Sequence, residues 1–435
     1  MSQRQLEVMI MGGGIGGLCL AQGLRRAGMS ASVFERDASP ISRMQGFRIH
    51  ISPIGSQALH DCLPPDLFTL FCDTCGEFGQ GFSLLTEQLT ELISIADPDA
   101  TPPGDAVSLH RSVSRITLRR ILLAGLEPNV HFDKRLSSYS TQSDGKIEAC
   151  FEDGTTAQGD ILVGADGVNS AVRKQYLPGV EPIDTGVVAL GGRIRLSPAV
   201  MALMPVQLLT GPAIVMAQQP VSLFMAVWKR QADRQQHLNA VLPDSASDVA
   251  DEGDEDYLVL GFGGQRATFG LGADLTQTPG VELQRRLRQI AATWHPNLRK
   301  LIEMLDPADL FANRIRTSEP VPPWDTTNVT LLGDAIHSMT PYRGIGANVA
   351  LRDAALLCKE LVAASRGEKD LLPAIHAYET AMREYGFKAV KDSREMMQRA
   401  VSERGFGFGV VKMTMRAINA IGPVKQKIMG RNADA

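Results

Sequence analysis

No apolar run in this 435-residue chain is long enough to cross a bilayer. The wholly apolar stretches, such as residues 121–126, fall far short of the roughly 18 residues that a spanning helix needs. No secretory leader is recognisable either, since the apolar stretch 8–11 runs straight into glycines with no cleavage site after it. Six cysteines are too few for a disulfide framework. The lone C-x-x-C, Cys72 and Cys75, has no second pair and no histidines at zinc spacing, so it reads as two ordinary thiols and no metal site is expected. Positive charge is not in excess: 44 basic against 48 acidic residues leave a net charge of −4, which argues against a nucleic-acid partner. No internal repeat is visible. What remains is globular in composition, 44% apolar and 21% charged, which excludes a disordered chain. At roughly 150 residues per domain the length suggests two or three units. These observations lead us to expect a soluble, cytoplasmic protein.

Residues 6–11 are apolar enough for a buried strand. Gly12-Gly13-Gly14-Ile15-Gly16-Gly17 follows at once and fits G-x-G-x-x-G at Gly12, Gly14 and Gly17. A helical stretch over 18–27 then ends at Gly28, and residues 31–34 read as a second strand ending in Glu35. Two of the glycines let the backbone turn tightly and approach a pyrophosphate, the third permits close helix–strand packing, and the helix N-terminus offers free N–H groups to phosphate. Glu35 stands where an acid can accept from ribose hydroxyls. The unit binds a dinucleotide without separating NAD(P) from FAD. An acid at this position disfavours NADP and suits NAD or the AMP half of FAD.

Two later segments have the same strand-turn-helix texture. One is Asp160-Ile-Leu-Val-Gly-Ala-Asp166-Gly167-Val-Asn-Ser170-Ala-Val-Arg173. The other runs from Val329 through Gly333-Asp334-Ala-Ile-His337 to Pro341-Tyr-Arg-Gly344-Ile-Gly346-Ala347-Asn348 and a helical run over 349–357. With the N-terminal glycine motif, these segments resemble the flavoprotein monooxygenases of the para-hydroxybenzoate hydroxylase and salicylate hydroxylase type, over most of residues 6–361. The resemblance implies an α/β fold in which a Rossmann-type FAD-binding domain is interleaved with a β-sheet substrate domain and followed by C-terminal helices. The corresponding boundaries are 1–180 and 321–365 for the two parts of the FAD-binding domain, 181–320 for the substrate sheet, and 366–435 for the helical region.

The resemblance also implies roles. Gly12, Gly14, Gly17, Glu35, Arg36 and Asp166 would contact FAD, and Asp334 would accept from a ribityl hydroxyl. The turn at 344–348, with Gly346, Ala347 and Asn348, would lie against the flavin ring, and the positive end of its helix suits an anionic reduced flavin. Arg115 would sit against the flavin or its pyrophosphate, with Arg43, Arg48 and His50 beside the ring. His337 reads as support for its turn. NAD(P)H would visit transiently, since no second dinucleotide unit is present. O₂ would add to reduced FAD as a C4a-hydroperoxide, and one oxygen atom would pass to the substrate.

From about residue 185 the texture changes to short strands at 187–196, 214–218, 221–229 and 257–262, expected to build the substrate pocket. Alternation puts Phe224, Ala226 and Trp228 on one face and Leu223, Met225 and Val227 on the other, without saying which is covered. The segment 244–256 holds seven acids and reads as an exposed loop. Salicylate-hydroxylase-like relatives often carry an arginine where this chain has Gly191, and Arg193, two residues on, is the candidate substitute. Arg193 and His50 are therefore the catalytic candidates. Ile345 replaces a glutamine frequent in that turn. The tail at 410–421 is apolar apart from a stripe of Lys412, Arg416 and Asn419, expected to pack in a groove rather than on a membrane. The expected activity is an FAD-dependent, NAD(P)H-consuming hydroxylation or epoxidation of a hydrophobic aromatic or polyketide-like molecule, with O₂ as co-substrate and no membrane partner. Trp228, Trp294 and Trp324 never fall two apart, unlike the W-x-W of flavin halogenases. A reductase or oxidase on the same fold, or a non-catalytic redox sensor, are the alternative readings.

Overall fold

In the computed structural model, residues 6–40, 48–76, 81–96, 106–229, 238, 241, 255–272, 274–275, 277–402 and 408–420 are described. Arg43 and most of the acidic segment 244–256 lie outside them.

The apolar strand β1 (Glu7–Met11) is central in a parallel sheet, flanked by β2 (Ser30–Phe34) and, across it, β11 (Ile161–Gly164). β7 (Val130–His131) and β17 (Val329–Leu331) complete the five strands at the edges. Val8, Met9, Ile10 and Met11 are all buried, as in a strand covered on both faces, and this explains the continuous apolar run. The helices Ile15–Arg26 and Gly346–Ser365 pack on this sheet, and both start at the carboxyl ends of parallel strands, where such sheets bind ligands. An antiparallel meander, β8 (Leu136–Thr141), β9 (Ile147–Phe151) and β10 (Thr156–Gly159), adjoins it. A small ribbon pairs β3 (Arg48–Ile51) with β6 (Arg111–Ser114).

The second layer is a seven-stranded sheet. Its core strands are β12 (Ile183–Arg195), β13 (Ala213–Met216), β14 (Val221–Trp228), β15 (Tyr257–Gln265) and β16 (Phe311–Thr317). β4 (Gly81–Thr86) and β5 (Glu91–Ala96) extend it beyond β13. This hairpin comes from within residues 1–180, so the sheet recruits chain from the stretch that sequence motifs alone associate with the nucleotide. Leu223 and Met225 are fully buried with Leu190, Leu258, Leu260 and Phe262 against the helices Gly280–Ile290 and Pro296–Glu303. Phe224, 41% exposed, is on the opposite face. That answers the question left open by alternation: the Phe224 face is the one turned to the cleft between the two sheets.

The helix Leu371–Val401 ties the layers together. Near its start Tyr378 donates to the Leu331 carbonyl at 2.8 Å, and near its end Met397 and Val401 pack on Val187 and Ile315 of the second sheet. The tail helix Phe408–Ala420 lies against β5, where two residues of its polar stripe, Asn419 and Lys412, make polar contacts. Asn419 Nδ2 donates to Glu91 at 2.9 Å, its Oδ1 accepts from the Ser94 N–H at 3.2 Å, and Lys412 meets Glu87 at 3.3 Å. The reason is the free edge of β5, whose exposed N–H needs a polar partner. Met413 is left 68% exposed.

Candidate active site

The glycine turn opens onto a cleft of about 380 Å³. Gly12 has φ +116°, and a Cβ there would stand 2.3 Å from the Ala165 carbonyl oxygen; a Cβ on Gly17 would stand 2.2 Å from that of Gly12. Both positions therefore demand glycine. At Gly14 nothing lies within 4 Å of a built Cβ, so this position faces open space. No side chain caps the Ile15–Arg26 helix, whose first N–H groups are thus available to an anion. Glu35 closes the cleft at one end. It accepts from the Gly13 N–H at 2.7 Å and the Asp37 N–H at 3.0 Å, with Arg119 3.9 Å away. Arg36, Arg115, Arg119 and Arg120 line the same cleft. Arg119, one helical turn beyond Arg115, was not singled out from sequence, although i,i+4 spacing puts the two on one helix face.

Asp166 lines the cleft from the second motif. Its Oδ2 accepts from the Ala171 N–H at 2.6 Å, while Oδ1 is buried with no protein partner among the described residues. Burial raises its pKa against the helix N–H groups that lower it. Arg173 from the same motif is fully buried. It donates to the carbonyls of Ala335 at 2.8 Å, Val180 at 3.0 Å and Val168 at 3.1 Å, and so bolts the second motif to the third. Its invariably charged, five-donor head explains why arginine suits that position.

In the third motif Gly333 takes φ +61° and precedes the short helix that Asp334 begins. Asp334 is exposed at its side chain, and desolvation by the protein around it raises its pKa although His337 and Arg115 pull it down. Behind it His337 Nε2 bonds Asp353 at 2.6 Å; Asp353 also accepts from the Gly333 N–H at 2.8 Å and Tyr385 at 2.6 Å. Burial opposes charge on His337, but Asp353 outweighs it and the pKa is raised. His337 thus holds the turn from behind. The Gly346–Ser365 helix begins without a side-chain cap, its first residues Gly346 and Ala347 half-buried. Asn348 uses its side chain on the protein: Nδ2 donates to the His50 carbonyl at 2.9 Å and Oδ1 accepts from the Ser52 N–H at 2.8 Å. What 346–348 can offer a ligand is therefore backbone, not the amide.

Arg48 and His50 share one face of β3. The Arg48 guanidinium lies 5.4 Å above the Trp228 ring, joining the ribbon to the second sheet. His50 Nε2 is 2.8 Å from His110 Nδ1, while the ring centres are 5.0 Å apart and the planes differ by 5°. That difference is about two ring radii, so the imidazoles lie edge to edge in one plane with a shared hydrogen bond. Burial and His110 lower the His50 pKa to about 4. Arg193 is on the cleft face of β12, with Asp309 3.6 Å from its Nε. A Cβ at Gly191 would begin 2.3 Å from the Leu260 carbonyl oxygen, so the arginine found there in salicylate-hydroxylase-like relatives has no room at this strand spacing.

An open glycine turn, uncapped helix N-termini, an acid at the ribose end and a buried acceptor in need of a hydroxyl fit a flavin dinucleotide; the site is that of a flavin oxidoreductase. The FAD binding domain family matches residues 308–393, and the NAD(P)-binding Rossmann-like domain family matches residues 10–70. The crystal structure of an FAD-containing monooxygenase from Photorhabdus luminescens is similar at 34% identity and TM-score 0.78, covering 91% of this chain and 98% of that one. HpxO of Klebsiella pneumoniae, solved with FAD and uric acid, shares the fold at 22% identity and TM-score 0.75, covering 98% of this chain and 96% of that one. The dual O-methyltransferase/FAD-dependent monooxygenase elcB of Phaeosphaeria nodorum is 30% identical over 421 residues, 92% of this chain. The chain spans only 44% of elcB's length. The chain belongs to the class A FAD-dependent flavoprotein monooxygenases, and FAD is its cofactor.

Proposed function

We propose that this chain inserts one oxygen atom from O₂ into a hydrophobic aromatic or polyketide-like small molecule, by hydroxylation or epoxidation, with NAD(P)H as a transient reductant. The observation that carries this reading is the half-open apolar sheet face, with Phe224 on it, that faces the ribbon and the turn at 344–348 across the cleft. FAD, when bound, would supply the two-electron redox and O₂ chemistry that this reaction needs. The protein's part is position, electrostatics and exclusion of water.

In this reading Gly12, Gly14 and Gly17 admit the pyrophosphate, Glu35 and Arg36 hold the adenosine end, and Asp166 and Asp334 accept from sugar and ribityl hydroxyls. Arg115 offsets phosphate charge and Arg48 flanks the ring, the role that the sequence resemblance also gives to Arg43, outside the described residues. The N–H groups of Gly346, Ala347 and Asn348 favour negative charge on it. His50, neutral near pH 7 and hydrogen-bonded to His110, accepts or passes a proton at Nδ1. Arg193 orients a substrate oxygen. The domain boundaries 1–180, 181–320, 321–365 and 366–435 follow the same assignment, with the 81–96 hairpin lent to the sheet. Six free thiols suit a reducing, cytoplasmic setting, and no described helix is long and apolar enough to cross a membrane. The test is turnover under ¹⁸O₂ with a phenolic substrate. Label in the product, with one NAD(P)H consumed per atom inserted, is expected. Product labelled only from water, with stoichiometric H₂O₂, would refute the assignment.

A further inference from the structure

On the cleft face of the seven-stranded sheet, residues directly opposite one another form rungs. The middle rung is Gly191, Gly261 and Phe224, and the next is Arg193, Val259 and Ala226. These rungs lie between two fixed ends. At one end a Cβ on Gly263 would meet the Tyr342 hydroxyl at 2.2 Å, just before the turn at 344–348. At the other, Trp228 lies beneath Arg48. The middle rung thus stands opposite the elements that bracket the flavin ring.

Two of its three positions carry no side chain. Gly191 admits none, because of the Leu260 carbonyl. Gly261 has room: among the described residues a Cβ there would touch only the Phe224 Cβ, at 3.9 Å. The strand spacing makes this bare strip about 5 Å wide per strand, with rungs about 7 Å apart along the chain. That is the footprint of a fused ring lying flat, with the exposed Phe224 ring at its side as a stacking partner. Charge points the same way. Arg193, the cation on the neighbouring rung, faces Asp309 at 3.6 Å, so the pair leaves little net charge with which to hold a carboxylate.

We propose that Gly261, between Gly191 and Phe224, is a notch that seats the far ring of a planar, uncharged, fused polycyclic substrate, and that the protein selects such molecules over single-ring acids. This rests on the oxygenase reading for what happens to the ligand, but not for its binding.

The test measures dissociation constants on the FAD-loaded protein, by flavin fluorescence and calorimetry, for dihydroxyanthraquinone and for salicylate. The wild type binds the three-ring probe at least about tenfold more tightly, the apolar area of the extra rings being buried. Gly261→Leu fills the notch. It should weaken the three-ring probe by about tenfold or more and leave salicylate within about twofold, with FAD content unchanged. Should Gly261→Leu lose FAD, Phe224→Ala, at an exposed position, serves instead and should weaken only the three-ring probe. Equal losses for both probes, or none, in an FAD-loaded variant would overturn the notch. If the binding preference holds but no bound phenol gains ¹⁸O, the oxygenase reading fails and the notch stands.

Discussion

Asp334→Asn should move cofactor affinity and the stability of the cofactor-free protein in opposite directions. Asn preserves the size of the side chain and its oxygen, and removes the charge. In the holoprotein a ribityl hydroxyl that donates to a carboxylate loses a charge-assisted bond, worth about 1.5–3 kcal/mol, or roughly ten- to a hundredfold in FAD dissociation constant. In the apoprotein the sign is reversed. Desolvation by the surrounding protein raises the Asp334 pKa above the ordinary aspartate value of 3.8, so between that value and the raised one the native state binds more protons than the unfolded chain. Stability therefore falls as pH rises through that window, and above it the ionised group is a standing penalty. Asparagine removes the penalty. Because the Asp334 side chain is exposed, water screens it and the gain is small. The assay is thermal unfolding of apoprotein from pH 4 to 8, alongside FAD titration by fluorescence quenching. A variant whose apoprotein is less stable at pH 7 and whose FAD affinity is unchanged would show that Asp334 shapes its turn and does not touch the cofactor.

Asp353→Asn should cost about 3–5 kcal/mol, because it strands a fully buried imidazolium and weakens the acceptor for Gly333 and Tyr385. The wild-type pair contributes fully below the ordinary histidine value of 6.5 and loses its contribution as pH rises through the raised His337 pKa, so urea midpoints should decline with alkaline pH in the wild type and less in the variant; equal slopes would contradict the pairing. Deleting residues from 408 onward should bare the edge of β5, leaving the Ser94 N–H and the Glu91 carboxylate without their Asn419 partner. Light scattering should then show self-association with FAD content retained, and a monomeric truncation would mean that the tail does not guard that edge.

Much of the nucleotide half was legible because its determinants are local. A strand running into glycines and then a helix needs only the conformational freedom of Gly12 and Gly333 and the N–H groups of the helix that follows, all within a few residues. The same locality singled out Glu35 and Asp166, which two separate motifs bring to one cleft. The sheet was legible as strands but not as faces. Period-two alternation in β14 says that Leu223 and Phe224 differ in surroundings, and only the helices packed from 280–303 decide which side is core. The motif places Asn348 at the flavin turn but does not say what its side chain does. The amide reaches Ser52 and His50, 296 and 298 residues away in sequence, and no local pattern encodes that contact. The tail helix shows the same limit. Its amphipathic pattern does not encode that Asn419 meets Glu91 and Ser94 of β5 and that Lys412 meets Glu87, contacts made with chain more than 300 residues away. By itself the sequence determined the turns, the cofactor class and the strands that line the cleft. The hairpin at 81–96 joining a sheet from the other half of the chain, the small-residue strip at Gly191 and Gly261, and the pairing of Arg193 with Asp309 were decided by tertiary structure, because each depends on which distant strand lies alongside.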